Sequence, residues 1–291
     1  MKILTTIHDL NNLSALLEVA DGLVIGDIRF SKTLTLDLKA DLIPTIKRIY
    51  DAKKEVFILL NRLFTDKELE VVKDFVLTLP LSLITGFIGA DIGLLEVFKT
   101  IKLEHKFVYN PETLLTNDFD FNYLSKDHVL GAFVSKEITL EDIKNISDVK
   151  KISLFMMIHG HMSMFYSKRP ILTRYSEYIK KNETYHNQTD LRLKEPKRTE
   201  ERYPVYEDEA GTHVFRGTIL NVFDDIDFMQ VAVDYGFIDT LFLSDSYAIE
   251  VIKMYKNKDE DLKSEIIKSY NQVWHQGFLH QKSFIKDEDN D

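Results

Sequence analysis

The densest chemistry in the chain is His159-Gly160-His161. On a strand, side chains at i and i+2 face the same side, which is a common way to hold a metal. No third or fourth ligand stands at a recognisable spacing; His186, His213 and carboxylates at strand ends are the remaining donors. The reading is therefore of hydrogen-bonded histidines, structural or touching a substrate, with no metal assigned. Ser163 and Ser167 lie close by, but no Asp is placed to orient either histidine as a serine hydrolase requires. Ser167-Lys168-Arg169-Pro170 comes next. A stiff Pro behind adjacent cations could fix them for contact with carboxylate or phosphate, and the Arg169 guanidinium suits a bidentate contact. Tyr166, Tyr175, Tyr178 and Tyr185 are interleaved with basic residues and could stack on bases, although packing is their commoner use.

Charge points to the same segment. The chain nets −10, which argues against a bulk polyanion binder. From Lys168 to Arg202, however, ten Lys/Arg stand against six Asp/Glu, so this stretch nets +4 and the rest −14. A small basic surface on an acidic body would orient an anion toward one patch.

The elements that must position these groups are legible as an alternation. Lys2–Ile7, Gly22–Ile25, Val56–Leu60, Leu81–Ile88, Lys106–Tyr109, Val129–Val134 and Ile152–Ile158 read as buried strands. Amphipathic helical stretches lie between them, over 10–20, 40–54, 93–101 and 140–146 and from Thr65. Thr65 with Glu68 makes a capping box, and Thr139 caps before Asp142. Nearly continuous apolar strands joined by helices imply a parallel sheet covered on its outer face. Seven such units before residue 160 suit an α/β fold of the TIM-barrel-like kind, a parallel β/α barrel, regular or irregular. No Gly-x-Gly-x-x-Gly follows the first strand and no phosphate-binding Gly-rich Lys-Ser/Thr loop is present, so nucleotide-binding readings lose weight.

The pattern breaks at 175–202. Tyr203–Glu207 and Thr212–Phe215 flank Asp208-Glu209-Ala210-Gly211, a β-hairpin turn with Gly at the left-handed position. A helix over Phe228–Tyr235, a strand over Thr240–Leu243 and helices over Tyr247–Tyr255 and Leu262–Trp274 follow. We expect one barrel domain (1–174 and 218–280), an inserted hairpin-containing subdomain (175–217) and a disordered acidic tail (281–291). In a parallel barrel, reactive groups sit at the C-terminal strand ends. That rule selects Asp27, Asn61, Asp91, Asn110, Glu137, His159 and Asp245 as a polar mouth. Of these, His159, together with His161 and Glu137, are the candidates for catalysis. Asn61, Asp91, Asn110, Lys168, Arg169 and Arg174 are the candidates for substrate binding.

Composition closes several routes. The 291 residues include no Cys, which excludes disulfides, a thiol nucleophile, a thiolate zinc site and a cysteine-ligated iron–sulfur cluster, and fits a reducing cytoplasm. The N-terminus is charged almost at once and shows no cleavage site of a signal peptide. No apolar run approaches the roughly 18 residues of a membrane helix.

Met157-Ile158-His159-Gly160-His161-Met162-Ser163-Met164-Phe165-Tyr166-Ser167-Lys168-Arg169-Pro170-Ile171-Leu172-Thr173 resembles the signature of the collagenase-like peptidase family, peptidase family U thirty-two. Supporting pieces follow in order: Asn61 with Glu68-Leu69, Asp91-Ile92-Gly93, Asn110, Ser135 to Leu140, Tyr203-Pro204, Glu207-Asp208-Glu209 with Gly211-Thr212, and Gly277-Phe278. The resemblance implies a barrel-like fold and a family named for peptidase activity, a hydrolase. It also implies better understood members that hydroxylate wobble uridine in transfer RNA, in a prephenate-dependent way, or ubiquinone precursors. Those members hold an iron–sulfur cluster through four Cys. This chain departs at the signature: Phe155 replaces a Glu, Ser163 and Pro170 replace the two Cys, and Lys168 replaces a Gly. The later strand end of the family stands here as Leu241-Phe242-Leu243-Ser244-Asp245-Ser246.

The resemblance is to short cysteine-free bacterial members that act beside longer, cysteine-containing relatives. It implies a partner or substrate-binding subunit in transfer RNA wobble uridine 5-hydroxylation. The expected partners are the longer relative and transfer RNA, and prephenate is the expected pathway substrate. The expected location is cytoplasmic, with no cofactor of its own and no membrane. A collagenase-like peptidase is the alternative, and a scaffold without chemistry the third reading.

Overall fold

A computed structural model describes residues 1–181 and 183–281, with the side chains of Arg198 and Thr199 left aside. The acidic tail expected over 281–291 lies, apart from Gln281, outside the described residues. Along the chain run β1 (Lys2–Thr5), α1 (Leu13–Val19), β2 (Gly22–Gly26), α2 (Leu42–Asp51), β3 (Glu55–Leu60) and α3 (Asp66–Thr78). Then come β4 (Gly86–Gly89), α4 (Ile92–Thr100), β5 (Phe107–Tyr109), α5 (Asp118–Tyr123), β6 (Gly131–Phe133) and α6 (Leu140–Val149). β7 (Ser153–Ser167), α7 (Ile171–Tyr178), β8 (Arg192–Glu195), β9 (Arg198–Asp208) and β10 (Gly211–Asn221) follow. The described chain ends with α8 (Ile226–Ala232), β11 (Tyr235–Ile238), α9 (Asp245–Asn257), α10 (Glu260–Ser269) and β12 (Trp274–His275).

Strands β1 to β7 pair in sequence order, all parallel. β11 inserts in parallel between β7 and β1 and closes the ring into an eight-stranded barrel. Period-two alternation divides the side chains. One residue from each strand meets in the lumen: Leu4, Val24, Phe57, Ile88, Val108, Phe133, Phe155 and Tyr235. Their neighbours, such as Ile3, Leu23, Ile25, Val56 and Ile58, face outward into a second core beneath the helices. The lumen is aromatic at its centre: Phe155 stacks on Tyr235 at 4.3 Å, with Phe57 edge-on at 5.7 Å. The helix starts are capped as their residues dictate. Thr65 and Glu68 form the capping box of α3, and Thr139 accepts from the Asp142 N–H.

Four boundaries differ from the sequence reading. The strand expected over Leu81–Ile88 runs only from Gly86 to Gly89, because Leu81–Leu83 forms a 3-10 turn behind Pro80. β7 does not stop at Ile158. Its first half pairs with β6 and β11, and its second half runs out of the barrel to pair antiparallel with β10, which turns back into β9. The eighth barrel strand is Tyr235–Ile238; the expected helix over Phe228–Tyr235 ends at Ala232 and Thr240–Leu243 is not a strand. Asp234 accounts for the break: its carboxylate takes the Leu154 N–H at 2.8 Å and the Lys150 ammonium at 2.7 Å, which turns the chain out of helix and into the barrel. Last, the helix expected up to Trp274 ends at Ser269, because Trp274-His275 pairs with β10.

Candidate functional site

The overhanging hairpin β9–β10 and the loops after β2, β3, β5 and β6 enclose a cavity of about 800 Å³, counting the solvent-open space at its mouth, above the C-terminal end of the barrel. Its floor is the upper lumen, with Val24, Leu59, Ile88 and Phe133, and its wall includes Phe215 and Phe237. Polar groups stand at the rim: Thr6, Lys32, Asn61, Asn110, Glu112, Lys136, Ser163, His213 and Asp239.

Each is held by local structure. Lys32, in the loop after β2, is buried; its backbone N–H donates to Asn61 Oδ1 at 2.8 Å and its ammonium lies over the Tyr166 ring at 4.4 Å. Thr33 follows with φ 62, and its N–H donates to Asp208 Oδ2 at 2.8 Å. Glu112, with φ 66, donates its N–H to Asn110 Oδ1 at 3.2 Å. Two non-glycine residues in the left-handed region thus bracket the cavity. For a β-branched Thr this conformation is a true outlier, and it persists only where surrounding contacts over-determine it.

The electrostatics follow from these positions. The Glu112 carboxylate lies 2.6 Å from the Lys32 ammonium and 3.8 Å from that of Lys136. Burial pushes its carboxyl up, but the two ammonium groups outweigh that and hold it at about 2. For Asp239 burial prevails: it raises the carboxyl above the ordinary range, and the Leu241 N–H at 3.1 Å and the charge of Lys136 offset this only in part. His213, buried, gives its Nε2 to Asp208 Oδ1 at 2.9 Å and stacks on Tyr166 at 4.9 Å. Burial raises Asp208, and its bonds to His213, Thr33 and Ala210 prevail and lower it.

Of the residues selected from sequence, Asn61 and Asn110 line this cavity. The others sit elsewhere. His159 is fully buried on the outer side of β7, where Nε2 meets the Tyr247 hydroxyl at 2.7 Å and Nδ1 the Tyr255 hydroxyl at 3.4 Å. The Tyr255 hydroxyl donates to the Ile158 carbonyl, so it accepts from His159 and places the ring proton on Nδ1. Burial holds His159 down at about 3. His161 bonds the Arg216 carbonyl at 2.8 Å, and burial lowers it as well. Asp91 caps α4 and accepts the Phe64 N–H; Asp245 accepts the His8 and Asp9 N–H groups; Asp27 is bound by Arg29. Glu137 and Arg169 are exposed, Lys168 donates to the Leu63 carbonyl, and Arg174 pairs with Glu177 one turn on.

The residues that sequence reasoning missed are Lys32, Glu112, Lys136 and Asp239. The first three lie three to six residues past their strands. Asp239 directly follows β11 and would have been found had that strand been placed correctly.

Among the described residues, no group of three or more His, Cys, Asp or Glu is placed to hold a metal. The cysteine-ligated cluster that the resemblance attaches to longer members has no donors here. Ser163, at one of the signature's Cys positions, lines the cavity with a hydroxyl, and Pro170, at the other, starts α7. Among the described residues no helix is long and apolar enough to cross a membrane.

Comparison with known proteins places this geometry. A Bacillus subtilis protein named tRNA hydroxylation protein P2 is 22% identical over 242 residues, which cover 81% of this chain and 78% of the relative. The solved structure of the U32 peptidase Mk0906 aligns with a TM-score of 0.51 at 15% identity, over 82% of this chain and 92% of that one; at such identity the likeness is one of fold. The model of peptidase family U32 matches residues 9–289, from the loop after β1 through the other seven barrel strands and the hairpin, and the chain belongs to that family.

Proposed function

We propose that this chain serves transfer RNA hydroxylation as a partner or substrate-binding subunit in the 5-hydroxylation of wobble uridine. A longer cysteine-containing relative would supply the redox centre. The observation that carries the reading is the likeness, over 81% of the chain, to a protein named for tRNA hydroxylation. Two features support it. The chain lacks every thiolate a cluster would need, so electron transfer falls to another protein. The barrel mouth holds a cavity with an apolar floor and convergent polar groups, the usual form of a small-molecule site, and prephenate is a candidate occupant. The cytoplasm is the expected location, with the basic segment 168–202 facing RNA phosphates.

The test is mass spectrometry of transfer RNA from a deletion strain. Loss of 5-hydroxyuridine derivatives at the wobble position supports the proposal; normal levels overturn it. Capture of the longer relative on a tagged copy of this chain tests the partnership.

A hydrolase reading has one observation in its favour: His213, oriented by Asp208, shares the cavity with Ser163. Ser163 and His213 are not hydrogen-bonded to each other, and nucleophilic catalysis needs that bond. Hydrolysis of gelatin or casein by pure protein, abolished by Ser163→Ala, would move the function to this class.

A further inference from the structure

We infer that the outer face of α7 is a stacking platform for unpaired RNA bases, with Tyr175 and Tyr178 as its rings. The inference rests on the reading of this chain as a transfer RNA hydroxylation protein, and it adds the surface and the manner of contact.

Four tyrosines are interleaved with the basic residues of this segment, and the structure separates them. Tyr166 is packed: it stacks on His213 and donates its hydroxyl to the Ala210 carbonyl at 2.9 Å. Tyr185 donates to the Glu183 carboxylate at 2.6 Å. Tyr175 and Tyr178, by contrast, are 57% and 83% exposed. They stand three residues apart on α7, hence on one face, together with exposed Ile171 and Arg174. A surface helix ordinarily turns its apolar stripe inward. Here the inward stripe is half-buried Leu172 and Ile179 with buried Ser176, and the aromatic stripe is left to solvent. The platform is also held in place before anything binds. Glu207, fully buried in β9, accepts the Leu172 N–H at 2.8 Å, the Thr173 N–H at 3.2 Å and the Thr212 hydroxyl of β10 at 2.9 Å. That carboxylate ties α7 to the hairpin and fills the positive end of the helix, so phosphate contacts fall to side chains.

Charge says what covers this face. The excess of +4 over 168–202 sits wholly in 168–181, with five Lys/Arg against one Asp/Glu; 182–202 balances five against five. The one acid, Glu177, pairs with Arg174 at 2.9 Å. Lys168 gives its ammonium to the Leu63 carbonyl and its charge to Glu68. Arg169, Lys180 and Lys181 have no ion pair among the described residues. Exposed rings among unneutralised cations fit a nucleotide strand, whose bases stack on the rings and whose phosphates meet the cations. A duplex offers the phosphates but keeps its bases stacked inside, so the rings select an unpaired loop. The place suits the proposed reaction. Only five residues, Tyr166 to Pro170, separate α7 from exposed Met164 and Phe165, which line a groove sharing Lys32, Glu112 and Ser163 with the mouth cavity.

Fluorescence anisotropy of the full chain with two labelled RNAs of equal phosphate number reads this directly. One is a hairpin with an unpaired loop of about seven nucleotides, the other a blunt duplex. We expect the hairpin to bind about tenfold more tightly or better. Tyr178→Ala should weaken the hairpin about five- to hundredfold, with duplex binding, salt slope and melting temperature unchanged. Tyr178→Phe, which keeps the ring, should bind as the wild type does. Lys181→Gln should weaken both RNAs alike and lower the salt slope by ~1. Equal binding of hairpin and duplex by the wild type, binding of neither, or hairpin binding untouched by Tyr178→Ala overturns the inference. Should Tyr178→Ala abolish capture of the longer relative while hairpin binding holds, the face is a protein interface and the inference falls. Absent hairpin binding beside lost wobble hydroxylation in the deletion strain would sink this inference alone. Hairpin binding through Tyr178 beside normal transfer RNA would sink the proposed reaction alone.

Discussion

Glu112 and Lys32 meet at 2.6 Å across the barrel mouth, although they belong to the loops after β5 and β2. Lys136, from the loop after β6, reaches the same carboxylate at 3.8 Å. One acid thus joins three loops that are far apart in sequence, and it does so from a left-handed backbone that its Asn110 bond helps to hold.

That acid should be visible in the acid limb of stability. Its carboxyl is held at about 2, against 4.5 for a free Glu. A carboxyl depressed on folding adds stability that is complete above pH 4.5 and lost as pH falls through about 2. Circular dichroism of acid unfolding should show this loss, and Lys136→Met should shrink it. An acid limb unchanged in that variant would refute the assignment.

His159 predicts a loss at higher pH. Burial holds it at about 3, whereas the unfolded chain protonates it near 6.5. Stability from its neutral, tyrosine-bonded form is full above pH 6.5 and declines as pH falls toward 3, at up to ~1.4 kcal/mol per pH unit. His159→Gln should flatten the urea midpoint between pH 6 and 4. A slope equal to that of the wild type would show that the histidine does not titrate on unfolding.

Gly160 lies at φ +135, and a Cβ there would stand 2.4 Å from the Asp239 carbonyl. Gly160→Ala should cost about 1–3 kcal/mol for the backbone conformation, with the collision added to it. It should also disturb the β7–β11 seam next to Asp239. A variant as stable as the wild type in urea would disprove the constraint.

Arg169 is exposed, with no ion pair among the described residues. Arg169→Ala should leave the melting temperature within about a degree. If the segment meets RNA, the same change should lower the salt slope of binding by ~1. A melting temperature lower by several degrees with binding intact would make the residue structural.

Seven barrel strands could be read from the chain because parallel strands covered on both faces are continuous apolar runs. Val56–Leu60 and Ile152–Ile158 have no competing periodicity. The eighth could not: Tyr235-Gly236-Phe237-Ile238 is short and abuts a helix, and the more apolar-looking Thr240–Leu243 drew the assignment past Asp239. The mouth was half legible for a related reason. Asn61 directly follows its strand and fits the strand-end rule, whereas Lys32 and Glu112 depend on positive-φ loops that leave no periodic trace in sequence. His159-Gly160-His161 misled by its density. His159 lies under α9 against Tyr247 and Tyr255, His161 bonds the Arg216 carbonyl beside Phe242, and neither lines the cavity.

The ring closes through β11, which follows β7 only after the whole hairpin excursion. During synthesis at ~5–20 residues per second, the seven earlier strands wait several seconds for it. In that interval the nascent sheet has two open edges, β1 on one side and the inner half of β7 on the other. Unpaired parallel edges of this kind recruit other chains. β1 is four residues long and begins with exposed Lys2, two features that blunt such an edge until Tyr235–Ile238 leaves the ribosome and docks beside it.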